Sequence, residues 1–381
     1  MHQYPTFMIK VFNRLISHVK RKHIFLFFCA IIVILVVSFF ILGYAINQKK
    51  FDSQTFLEKL RATTINKDEF FADMRGQLRE IIIAIGPSGA VKLTREAFAH
   101  GNINFVHCHT LMHIAGHIVM ALQTKNGTSD NINIYDSDLC GFGYSHGLEA
   151  QIVLENPDPH DARNKLYDLC AALQVTSPGI TCYEGAGHTF MSKTLNIESA
   201  IDLCDALSSD GPLRDPFMCY KGVFAEYTNL IGGNDTETGR QREGGPILTL
   251  PMDTPIAYCA SLPNKYSLMC AHEVCGLHAA NMTLALTEAV TGNYPIEMQA
   301  ACVHNAAGAK AENELSHATT VAIPPIVFSL SKELRRQYIA GTIGEFNSYA
   351  RSGAQKDWRS FCNVFTKEED RVVCTDIVER K

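Results

Sequence analysis

The stretch HCHTLMHIAGH, His107 to His117, holds four histidines, and three of them, His109, His113 and His117, recur at every fourth residue. On a helix that spacing stacks them along one face. Imidazoles stacked in this way can share one cation, and neutral imidazole suits zinc, iron or copper. Downstream, His146 in GYSHG and His188 in GAGH also stand beside glycines. The expected ligand set is therefore His109, His113, His146 and His188 around a divalent transition metal. Glu149 and Glu184 are the expected catalytic carboxylates, with Glu226 as a further oxygen ligand or base. The competing reading is packing, in which each imidazole fills a tight helix interface and bonds a backbone carbonyl.

Two other patterns compete for the chemistry. GYSHG fits GxSxG, which would make Ser145 the nucleophile of a serine hydrolase, but that motif needs a strand-to-helix elbow. The alternation of strands and helices that builds such an elbow is nearly absent from the chain. HEVCGLH, His272 to His278, is two residues too long for a zincin helix.

The elements that must position these side chains are marked by cysteine. Of 13 cysteines, Cys29 stands apart and the other 12 lie between Cys108 and Cys374. Cys108, Cys140, Cys182, Cys219, Cys270 and Cys302 each open a run of small and apolar residues. His113 is the fifth residue after its cysteine, His146 and His188 the sixth, and Glu226 the seventh. A second class of cysteine precedes several of these runs by 11 to 15 residues. That spacing pairs Cys170 with Cys182, Cys204 with Cys219, Cys259 with Cys270 and Cys362 with Cys374. Cys108 with Cys140 and Cys275 with Cys302 follow by elimination. No CxxC occurs, which removes zinc-ribbon, thioredoxin-like and CxxCH haem readings.

Each unit reads as an amphipathic helix such as ARNKLYDLCAAL or ESAIDLCDAL, a turn rich in Gly, Pro and Ser, and then the cysteine-led helix. Starts are expected at Asp161, Ser199 and Asp253, and stops at SPG, SDGP and LPNK. The cysteine-led runs recur at intervals of 32, 42, 37, 51 and 32 residues. The expected fold is all-α: a helical-hairpin repeat, either a solenoid or a closed α/α array, stapled by disulfides. Such repeats commonly present a concave face to a peptide or protein, so an interaction scaffold with structural histidines is the alternative to a metal-dependent enzyme.

Residues 24–46, IFLFFCAIIVILVVSFFILGYAI, contain no charge over 23 positions, enough at about 1.5 Å per residue to span a bilayer core. Lys10, Arg14, Lys20, Arg21 and Lys22 precede them and only Lys49 and Lys50 follow closely, which places the N-terminus in the cytoplasm. The expected organisation is a cytoplasmic tail over 1–23, a transmembrane signal anchor over 24–46, juxtamembrane helices over 51–100 and a cysteine-rich ectodomain over 101–381. That ectodomain faces the periplasm, the cell surface or a secretory lumen, where disulfides persist. A net charge of -5 without a basic stripe argues against a nucleic-acid partner. A reporter enzyme active only after export, fused behind residue 50, is expected to be active; an inactive fusion would reverse this topology.

Overall fold

The computed structural model describes residues 67–379 apart from 102, 104, 127–138, 177–181, 209–215, 232–233, 236–239, 242–254, 277–281 and 317. The expected anchor over 24–46 and the first part of the expected juxtamembrane helices, 51–66, lie outside the described residues. Among the described residues, no helix is long and apolar enough to cross a membrane.

Fourteen helices are seen among those residues: α1 (Lys67–Ala99), α2 (Phe105–Asn126), α3 (Gly143–Glu155), α4 (Pro159–Thr176), α5 (Glu184–Thr194), α6 (Ile197–Ser208), α7 (Phe217–Ile231), α8 (Pro255–Ser261), α9 (Asn264–Gly276), α10 (Met282–Thr291), α11 (Ile296–Leu315), α12 (Lys332–Arg351), α13 (Trp358–Asn363) and α14 (Glu368–Glu379). A single 3-10 turn covers Pro325–Ser329, and the strand content is one two-residue pairing of Asn234–Asp235 with Arg240–Gln241. The protein is all-helical, as its periodicity implies.

All six expected cysteine pairs are joined, with Cα atoms 5.1 to 5.9 Å apart. The expected stops also hold: α4 ends at Thr176 before SPG, α6 at Ser208 before SDGP, and α8 at Ser261 before LPNK. The expected starts need correction. The side chain of Asp158, not Asp161, accepts a backbone N–H at the head of α4, from His160 at 2.8 Å, and Asn196, not Ser199, accepts from Ser199 at the head of α6. Both are good cap residues, and each stands three positions before the residue expected to start the helix. Asp253 lies outside the described residues. Within α1, Gly86 takes φ 77 and is followed by Pro87, so the helix breaks there into two.

The helices associate by their surface chemistry. α6 buries Ala200, Ile201, Cys204 and Leu207, one stripe of an amphipathic helix. α3 is buried along most of its length, from Gly143 to Ala150 without a gap, so it must touch neighbours on several sides. α2, α3, α5, α7, α9, α11 and α12 each pack on the next in that order, with α1 on α2. α4 packs on α3 and α6, α6 on α5 and α7, and α8 and α10 on α9 and α11 respectively. The last of the row also touches the first: Tyr349 of α12 lies 5.3 Å from the rings of Phe98 and Phe105, and the Ser352 hydroxyl accepts from the Cys140 N–H at 3.1 Å.

Neighbours in the row meet backbone to backbone. A Cβ on Gly147 of α3 would fall on the His113 carbonyl of α2, and one on Gly222 of α7 would fall on the Glu184 carbonyl of α5. Gly143 stands in the same relation to His109, Gly185 to His146 and Gly341 to His304. Only glycine lets the helices approach so closely. Gly147→Ala is therefore expected to destabilise the protein by about 2 kcal/mol or more, measured by urea unfolding. Gly76→Ala, in the exposed part of α1 with nothing near its added methyl, should instead stabilise it by about 0.5–1 kcal/mol.

Candidate functional site

The glycine contacts place the side chains of α2, α3, α5 and α7 against one another. His113 is fully buried and its ring lies 6.5 Å from that of His146 and 6.2 Å from that of His188, with His146 and His188 5.9 Å apart. His109 is half-buried, 5.7 Å from His146, and His117 is 5.1 Å from His113. These are centroid distances, and they place five imidazoles from three helices in one group.

Their hydrogen bonds differ in an informative way. His109 Nδ1 donates to the Cys140 carbonyl at 2.8 Å. His188 Nδ1 donates to Glu226 Oε2 at 3.1 Å, so coordination by His188 would run through Nε2. Glu226 thus orients a histidine from behind. His117 Nδ1 faces Gln151 Oε1 at 3.2 Å. Among the described residues neither ring nitrogen of His113 has a hydrogen-bond partner, and the same is true of His146, whose Nε2 is 3.6 Å from Glu184 Oε2. Buried polar atoms are rarely left so.

Electrostatics keeps the rings of His113, His146 and His109 neutral. Burial lowers His113 well below its usual range, and His117, His188, His109 and His146 lower it further. Burial pushes His146 down to about 3 despite the attraction of Glu184, and it lowers His109 against the pull of the Cys140 carbonyl. A neutral imidazole keeps the lone pair that a metal or a proton requires.

The two expected catalytic carboxylates part company. Burial alone would raise Glu184, but Lys221 of α7, donating at 2.8 and 3.0 Å, and the neighbouring histidines hold it well below the usual carboxylate range. Lys221 itself is raised: Glu184, Glu273 and Glu345 outweigh its desolvation. Glu149 is fully buried, and one of its oxygens accepts from the Gly185 N–H at the start of α5 at 3.0 Å. Burial pushes it up to about 8, only partly opposed by those backbone N–H groups. It closes the first turn of a neighbouring helix and holds its proton at neutral pH.

No three of the imidazoles have ligand nitrogens within 4.8 Å of one another; among the described residues the group that meets this limit is Glu149 with Cys170 and Cys182. Those cysteines are bonded to each other and offer no thiolate. Ser145 lies inside α3, fully buried, donating to the Phe142 carbonyl at 2.8 Å. Among the described residues, 139–142 ahead of this helix form a turn and not the strand of a hydrolase elbow.

Sequence reasoning passed over Lys221. Its signal was a single cation two residues after Cys219 in a mostly apolar helix, a position where a cation needs a buried partner. No family model matches the chain, and no curated protein or solved structure matches it.

The Glu149 shift fixes a sign. An unfolded chain loses this proton near 4.5 and the folded protein near 8, so unfolding releases a proton in between and stability falls as pH rises across that window. Below it both states are protonated and the effect vanishes. In Glu149→Gln this contribution is absent, so its stability relative to wild type should improve steadily from pH 5 to pH 8 in urea titrations. Parallel pH curves for the two proteins would refute the assignment.

Proposed function

We propose that this chain is a membrane-anchored, extracytoplasmic metal-binding protein, in which His113, His146 and His188, with His109 beside them, hold a divalent transition metal. One observation carries the reading: His113 is buried at the centre of an imidazole group with both nitrogens unpartnered. An ion about 2.1 Å from each nitrogen would stand about 3.2 Å from each ring centre, so the three rings would close in by roughly half an ångström and turn toward it. Zinc, iron and copper all suit such a set. Hydrogen bonds from His109 to a carbonyl and from His188 to a carboxylate are the kind that orient metal-binding imidazoles.

In this reading Glu184, ionised and 3.6 Å from His146, is the carboxylate available as a base, and Glu149 is structural. The helix row is a closed α/α array of hairpin repeats; the contacts of Tyr349 and Ser352 with the first helices support closure over an open solenoid. The anchor over 24–46, the charge bias around it and the six disulfides support an extracytoplasmic address.

A second reading, a protein-interaction scaffold with structural histidines, is favoured by the imidazole nitrogens standing too far apart to share an ion as they are. The two separate on elemental analysis of full-length protein purified without chelator. His113→Gln is expected to lose one equivalent of metal relative to wild type. Wild-type protein carrying less than about 0.2 equivalents of any transition metal would favour the scaffold.

A further inference from the structure

The row of glycine-backed polar residues continues past Lys221. α9 and α11 bring His272 and His304 to a centroid separation of 5.9 Å, with their planes 31° apart. Both line a cavity of about 560 Å³, whose wall includes Gln337 and whose lining also carries the carboxylates of Glu297 and Glu333. Both carboxylates belong to exposed residues.

The two imidazoles are oriented from behind. His272 Nδ1 lies 2.7 Å from Glu273 Oε1. In that contact the ring donates from Nδ1 to the carboxylate, which leaves Nε2 as the nitrogen that faces a ligand. The Gln337 amide lies within hydrogen-bonding reach of His304. The carbonyl of His304 packs on Gly341, as that of His113 packs on Gly147, and Asn305 donates to the His272 carbonyl. Two imidazoles on one ion have centroids at most about 6.4 Å apart, given metal–nitrogen bonds near 2.1 Å. The observed separation falls inside that limit, and the cavity leaves room for water or an exogenous ligand to complete the coordination.

We propose that His272 and His304 form a second, two-imidazole site for a divalent transition metal, open to the cavity and favoured by the negative charge of Glu297 and Glu333. It shares no ligand with the group around His113, and either site can exist without the other.

Titration of full-length, detergent-purified protein with zinc, followed by calorimetry and elemental analysis after desalting, tests the site. Wild-type protein is expected to take up two ions, and His272→Gln and His304→Gln one each, with far-UV circular dichroism unchanged. Glu273→Gln, which leaves both ligands in place, should keep the stoichiometry and weaken the second ion about 10- to 100-fold. Uptake unchanged in the His272→Gln/His304→Gln double variant would overturn the proposal, whatever His113→Gln does. Uptake of one ion that survives His113→Gln and is lost in the double variant would uphold it and overturn the site at His113 instead.

Discussion

The fold depends on one repeated contact: a glycine of one helix resting on a backbone carbonyl of the helix before it. It is seen between α2 and α3, α3 and α5, α5 and α7, and α11 and α12. The carbonyls involved include those of His109, His113, His146, Glu184 and His304. The residues that carry the polar chemistry are thus the ones whose backbone is most tightly held. With no side chain between the helices, there is little slack through which such a residue could slide or turn, and its side chain projects from a fixed point. Preorganisation of this kind places the cost of burying polar groups on the folding reaction rather than on any later binding event.

That burial would not be tolerable without the pairing of Glu184 and Lys221. A lone lysine among five imidazoles, or a lone carboxylate, would be a buried uncompensated ion, which is strongly destabilising. Together they leave the wall close to neutral. His109, His113 and His146 respond by shedding charge, since burial and mutual repulsion both disfavour imidazolium. Glu149, on the same helix as His146, does the opposite and keeps its proton. Glu184 and Lys221, by contrast, stay charged and face each other.

Much of this was legible in the chain. The cysteine pairing could be read because the two classes of cysteine alternate at short intervals, and helix ends could be read because Pro and Gly admit few alternatives. The convergence of His113, His146 and His188 was visible because each occupies nearly the same place after its cysteine. Helix starts were read late, since Asp158 and Asp161, or Asn196 and Ser199, are equally plausible caps until a hydrogen bond is seen. The role of Glu149 was hidden because the N–H groups it accepts from belong to a different helix, and Lys221 because a lone lysine reads as a surface residue. His272 and His304 stand 32 residues apart in stretches whose local motif, HEVCGLH, points elsewhere.

The disulfides join the twelve cysteines from Cys108 to Cys374 strictly in consecutive order, first with second and third with fourth, over separations of 11 to 32 residues. Each pair can therefore close as soon as its second cysteine has been added to the chain, without waiting for distant sequence. No correct bond needs an isomerase to undo an earlier one. Most helices in the row also pack on a neighbour that follows closely along the chain, an arrangement that favours fast folding. The exception is the seam where Tyr349 and Ser352 return to Phe105 and Cys140. Until α12 is in place, the edge of α2 stays uncovered, and that seam is where the assembly of this fold is most exposed to error.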